Sequence, residues 1–170
     1  MTIDDVRRLY EYSAWANRKL FRVIEQMAPD QFTHAVAGSY GSIRNTMVHA
    51  LSAEWGWLER CGGRARGPQL SADDYATVAA LAEASAKVET HMHAFLDSLT
   101  DEDLARRVEF VIPRGGPSRV MPVGELLQHG ATHGVHHRGQ VSLLIRLLGY
   151  TPGNIDMLIY DAEKRRAPIA

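Results

Sequence analysis

The chain has one cysteine in 170 residues, which excludes an intramolecular disulfide and leaves a buried apolar core to hold the fold. That residue, Cys61, stands in Arg60-Cys61-Gly62-Gly63, the pattern of a helix running into a loop, and no nearby motif marks it as an activated nucleophile. An excess of either charge is also lacking: 19 Lys and Arg face 20 Asp and Glu, and no block of five like charges occurs. This excludes the electrostatic footprint of a binder of nucleic acid or anionic membrane. No segment approaches the roughly 18 consecutive apolar residues of a membrane-spanning helix. The opening residues Met1-Thr2-Ile3-Asp4-Asp5 place two acids where a secretory signal needs a basic start and an apolar centre, so a cytoplasmic protein is expected. Strand signals are scarce, and there is no internal repeat or low-complexity segment.

What the chain does have is helical periodicity. With 45% hydrophobic and 23% charged residues the composition is that of an ordinary globular protein, and the length suits one domain over residues 1–170. After an acidic first turn, Val6, Leu9, Ser13, Leu20, Val23, Ile24 and Met27 recur at steps of three and four or their multiples. They predict a helix from Asp4 to about Met27, stopped by Ala28-Pro29-Asp30. Ser42 suits the N-cap of a second helix carrying Ile43, Met47, Ala50, Trp57 and Leu58, which Gly62-Gly63 ends. Ser71 with Asp74 resembles a capping box and predicts the opening of a third helix with the stripe Val78, Leu81, Ser85, Val88, Met92, Phe95 and Leu99.

Between Asp101 and Met121, Phe110-Val111-Ile112 followed by Pro113-Arg114-Gly115-Gly116-Pro117-Ser118 predicts an irregular excursion or a small hairpin. A fourth helix runs from Pro122 to Gly149, and a last short one is expected around Ile155 to Lys164. Four long amphipathic helices predict an all-α four-helix bundle. The connection between the third and fourth is long enough to cross it.

Four of the eight histidines fall in the run His129-Gly130-Ala131-Thr132-His133-Gly134-Val135-His136-His137. His133 and His137 are four apart, one helical turn, and share a face. The apolar stripe of this helix, with Gly130 set at zero, puts His137 at about −20° and His133 at about −60°, facing the core. His129 and His136 fall near −100° and −120°, at its edge. Two inward imidazoles without partners would cost roughly 1–3 kcal/mol each, and one metal ion would satisfy both. Satisfied core histidines are the other reading. Gly130 and Gly134 cost about 1 kcal/mol each against alanine, which suggests space kept for a neighbouring helix or a ligand. A third ligand must come from another helix, and His49, mid-way along the second among small residues, is the best candidate. His34, His91 and His93 read as solvated surface.

The segment His133-Gly134-Val135-His136-His137-Arg138-Gly139-Gln140 resembles the His-x-x-x-His-Arg-Gly-Gln signature of the DinB-like, or YfiT-like, metal-binding four-helix bundles. Tyr12-Ser13-Ala14-Trp15-Ala16-Asn17 is similar to that family's Tyr-x-x-Trp-Ala-Asn, and His49 with Glu54 and Trp57 resembles its second-helix pattern. The resemblance covers nearly the whole chain. It implies that His49, His133 and His137 bind one divalent cation, usually zinc or nickel, in a bundle of up-down-down-up order that is frequently a homodimer.

It further implies a metal-dependent hydrolase or a low-molecular-weight-thiol transferase, acting on a small-molecule substrate and using a cellular thiol in the second case. Three histidines with an open position are the coordination of a catalytic ion. No residue announces itself as general base, which leaves open a non-catalytic, stress-related bundle that binds metal or a small ligand. Arg138 is expected to anchor the bundle through an acid such as Glu54 or Asp156, and Gln140 to reach the rim of the site. Glu54 is expected either to orient a ligand's second ring nitrogen or to form a salt bridge.

Overall fold

The computed structural model describes residues 1–65, 67–112 and 116–166. Five α-helices account for most of it: α1 (Ile3–Ile24), α2 (Ile43–Cys61), α3 (Val78–Asp97), α4 (Val123–Leu147) and α5 (Met157–Arg166). A two-stranded antiparallel sheet, β1 (Arg107–Val111) and β2 (Ser118–Pro122), lies between α3 and α4, with Arg107 opposite Pro122 and Val111 opposite Ser118. The molecule is therefore mostly helical, as expected, with a small two-stranded sheet where the hairpin was anticipated. The expected turn residues Pro113-Arg114-Gly115 lie outside the described residues.

Helices α1, α2 and α3 each start where a side chain takes over an unpaired backbone N–H, whereas α4 follows Pro122 at the end of β2 without a side-chain cap. Thr2 and Asp5 form a reciprocal capping box at α1, and Ser42 accepts from the Asn45 N–H at α2. At α3 the sequence expectation is corrected. Ser71 caps only a 3₁₀ turn, Ala72–Asp74, after which Tyr75 leaves helical geometry at φ −123° and ψ 73°; Thr77 then caps the helix proper. The first helix stops at Ile24 rather than Met27, although Met27 remains buried in the turn that follows. No helix among the described residues is long and apolar enough to cross a membrane.

Helix α4 packs against α1 and α2, and α3 packs against the same two. The core has two apolar halves. One gathers Val6, Tyr10, Trp57, Leu58, Met92, Leu96 and Leu127, the other Leu20, Phe21, Ile43, Val48, Leu81, Val141 and Ile145. On α1, α2 and α4 the polar inward residues fall in sequence between the two: Ser13 and Asn17, then Glu54, then His133, His137 and Arg138. Much of the inward polar chemistry thus lies in a layer across the middle of the helices, while buried Thr46 and half-buried His49 sit among Ile43, Val48 and Leu51 of the second half.

Candidate metal centre

Helix α2 supplies His49 and helix α4 supplies His133 and His137, one turn apart. Candidate ligand atoms of the three lie within 4.8 Å of one another, close enough to hold a metal ion. The Nε2 atoms of His133 and His137 are 3.1 Å apart, and the His49 ring centre lies 4.7 Å from that of His137 and 5.4 Å from that of His133. His137 is buried; His49 and His133 are half-buried. The other clustered histidines stay at the edge, as their helical angles predict. His129 is exposed and meets the Trp57 ring edge-on, and His136 is exposed beside Gln140. His34 and His91 are exposed, His91 lying edge-on to Trp55, while His93 is half-exposed 3.9 Å from Glu89.

Burial, followed by the neighbouring His137 and His49, pushes His133 down to about 4. Burial also lowers His137 from its ordinary value, against a raising hydrogen bond from Gln140. These two imidazoles are therefore neutral at pH 7 and able to offer lone pairs. The donor set fits a divalent first-row ion, for which neutral imidazole nitrogens are suitable ligands.

Gln140 does more than reach the rim. Its Oε1 lies 2.7 Å from His137 Nδ1, so the ring donates there and keeps its Nε2 lone pair turned toward His133. Ser39 Oγ donates to the same Oε1 at 2.9 Å. This is the orienting role considered for Glu54, which has no such bond to a ring nitrogen among the contacts described.

Arg138 anchors the helices, but through hydroxyl and amide groups. Its guanidinium donates to Ser13 Oγ at 3.2 Å and Asn17 Oδ1 at 3.3 Å and lies over the Tyr12 ring. Among the described residues it forms no ion pair with Glu54 or Asp156. Glu54 nevertheless feels the charge: burial raises its carboxyl from the usual range, and Arg138 partly opposes that. Burial in turn lowers Arg138. A cavity of about 30 Å³ is lined by Asn17, Met47, Glu54, His137 and Arg138 among others, so it reaches His137 from this layer.

The two helix-weakening glycines now have a steric cause. A Cβ at Gly134 would stand 3.0 Å from Arg138 Nη1, and one at Gly130 would stand 2.7 Å from Tyr10 Oη. Both make room for neighbouring protein groups.

Sequence reasoning missed Tyr40. Its ring stacks on His49 with centres 4.0 Å apart and planes 18° apart, and its Oη lies 2.9 Å from His49 Nε2. The available signal was Gly38-Ser39-Tyr40-Gly41 immediately before the Ser42 cap, an aromatic carried on a tight turn. Cys61 is fully buried at the end of α2, and burial drives its thiol up to about 12, which leaves it inert as a nucleophile.

Comparison with known proteins places this geometry in a family. The profile of the DinB family matches residues 2–167. The curated Protein DinB of Bacillus subtilis (strain 168) is 25% identical over 162 residues, covering 90% of this chain and 91% of that one. The crystal structure of a DinB-like protein from Bacillus cereus ATCC 10987 superposes with a TM-score of 0.72 at 24% identity, covering 90% of this chain and 97% of that one. A DinB-like protein from Bacillus subtilis, YjoA, gives 0.61 at 21% identity, with 84% and 92% covered. At those identities the two structures establish a shared fold.

Proposed function

The chain belongs to the DinB family, and on that premise we propose that it is a metal-dependent enzyme in which His49, His133 and His137 hold one divalent ion, zinc or nickel. Its reaction class is hydrolysis, or transfer of a low-molecular-weight thiol to a small-molecule substrate. The observation that carries this reading is the convergence of three imidazoles from two helices, with candidate ligand atoms within 4.8 Å. Three histidines leave coordination positions for other groups, as catalytic sites do. An ion held there supplies Lewis acidity, making water or a thiol a better nucleophile near neutral pH or polarising a substrate oxygen.

The chain's own residues prepare the site. Gln140 fixes the His137 ring so that Nε2 points into the cluster. Burial keeps His133 and His137 unprotonated at pH 7. Met47, Ala50, Asn17 and Arg138 line a small cavity together with His137, so apolar and polar side chains both border the buried side of the cluster.

In the same reading the four long helices run up-down-down-up. The order of the two core halves supports this: one half is met first along α1 and α4 and last along α2 and α3. The crossover between α3 and α4 carries the β1–β2 sheet. The working form is a cytoplasmic homodimer.

Two measurements test the proposal. Elemental analysis of purified protein is expected to give about one zinc or nickel per chain, lost in the triple alanine variant of His49, His133 and His137. Metal retained in that variant would overturn the ligand assignment. The loaded protein is then incubated with model esters, amides and electrophiles, with and without cellular thiols. A product that depends on the metal is expected; none in any combination would leave a binding protein instead of an enzyme.

A further inference from the structure

Tyr40 sits on the ligand side of the three-histidine cluster without belonging to the histidine motif. Two donors bound to one first-row ion at about 2.0–2.1 Å lie about 3–3.4 Å apart. The Nε2 atoms of His133 and His137 are already at 3.1 Å, and Tyr40 Oη stands 2.9 Å from His49 Nε2. The phenol therefore lies at ligand-to-ligand spacing from one of the three imidazoles, and its ring is edge-on to His137 at 5.7 Å.

Several contacts hold it there. The ring is stacked on the His49 imidazole. The preceding residue, Ser39, binds Gln140, the residue that orients His137, and also contacts Thr46 on α2. The Tyr40 carbonyl accepts from the Asn45 side chain in the first turn of α2. The turn that carries Tyr40 is closed by the Gly41 N–H donating to the Gly38 carbonyl at 3.0 Å and has open space around its glycines. Gly38 and Gly41 have φ of +100° and +83°, Ser39 is at +49°, and no neighbour would obstruct a Cβ at either glycine. Tyr40 itself is 38% exposed, so solvent and small molecules reach the segment.

We propose that Tyr40 is a displaceable fourth donor, its phenolic oxygen binding the ion held by His49, His133 and His137 and withdrawing with the glycine-bracketed turn when another ligand arrives. This rests on the three-histidine reading and deepens it by assigning the group that occupies the remaining position at rest. On binding, the Tyr40 O–H bond breaks, its proton passes to water, and an oxygen–metal bond forms. No electron is transferred. The expected ligand class follows: small anions or thiolates able to replace a phenolate on a divalent ion.

Copper(II) serves as the optical probe, since it suits imidazole sites and a bound phenolate gives it a visible charge-transfer band. The full-length protein loaded with about one copper per chain is expected to show that band. Tyr40→Phe should abolish it, keep the copper stoichiometry and weaken affinity about tenfold. Tyr150→Phe, whose hydroxyl meets the Ala28 N–H instead, should keep the band. Saturating azide is expected to bleach it. Stoichiometric copper without the band, or a band that survives in Tyr40→Phe, overturns the assignment of Tyr40 and leaves the three-histidine site standing. A band indifferent to azide overturns displacement. Failure of the wild-type chain to bind copper, zinc or nickel overturns both readings.

Discussion

His133 and His137 face each other through their Nε2 atoms at 3.1 Å, so a proton placed on both would set like charges side by side. Burial and this neighbour hold His133 at about 4, whereas an unfolded histidine titrates near about 6.5. Between those values the unfolded chain binds the extra proton, so stability falls as pH is lowered from about 6.5 toward about 4, and above that window the group contributes no pH dependence. Thermal unfolding of metal-free protein is expected to show Tm declining through this range. His133→Asn should flatten the decline, and parallel profiles for the two proteins would assign acid sensitivity to other groups.

Gly130 and Tyr10 make a second coupled pair. The buried Tyr10 hydroxyl donates to the Leu127 carbonyl at 3.0 Å, and a Cβ on Gly130 would come within 2.7 Å of that oxygen, with Trp57 close behind. Alanine gains about 1 kcal/mol in helix propensity over glycine, but displacing the hydroxyl strands a buried polar pair at about 1–3 kcal/mol. Gly130→Ala should therefore be neutral to destabilising by about 2 kcal/mol. In a Tyr10→Phe background the clash is gone, and the same substitution should stabilise by several tenths of a kcal/mol or more. Equal effects in both backgrounds, measured by urea unfolding, would remove Tyr10 as the cause.

The inward pair His133 and His137 was legible in the sequence because an i, i+4 spacing and an apolar stripe fix angles on a single helix. The same angles put His129 and His136 at the edge, where they are found. Relations between helices were less legible. Periodicity does not report how one helix is rotated against another, and so Arg138 could be expected to meet an acid when Ser13 and Asn17 actually face it. Orienting a ligand's ring was one of two roles open to Glu54, and Gln140 performs it from within the same helix as His137. Ser71 and Thr77 both carry capping chemistry, and the backbone at Tyr75 decides between them. Tyr40 was missed because its placement depends on a turn in which Gly38, Ser39 and Gly41 have positive φ, which leaves no periodic trace.

The polar layer should respond differently from the surface. Asn17 accepts one of the hydrogen bonds of the buried Arg138 guanidinium, whose Nε already lacks a partner among the described residues. Asn17→Ala removes an acceptor from a buried cation and is expected to cost about 1.5–3 kcal/mol. The exposed pair Lys87–Glu83, by contrast, is of the kind whose removal is hardly measurable. Chemical denaturation of Asn17→Ala and Lys87→Ala in parallel checks the contrast, and comparable losses in both would mean that the layer is not the stressed part of the fold.

Gln140 is where the orientation of the site can be altered without touching any of the three clustered histidines. Its Oε1 receives the His137 Nδ1–H at 2.7 Å and the Ser39 hydroxyl at 2.9 Å, so Gln140→Leu removes the acceptor from both while keeping a side chain of similar bulk. The His137 ring is then free to rotate or to place its proton on Nε2, the nitrogen turned toward His133. Loss of such an outer partner commonly weakens metal binding 10- to 100-fold. Gln140→Leu is expected to lower zinc or nickel affinity within about that range while leaving stoichiometry and helix content unchanged. Gln140→Glu keeps an acceptor at the same position and should bind more tightly than Gln140→Leu. Competition titration against a chelator of known strength separates the outcomes: affinities that rank Gln140→Leu level with wild type would show that the His137 ring is held by its packing alone, and a fall shared equally by both variants would point to lost shape at Gln140 instead of a lost hydrogen bond.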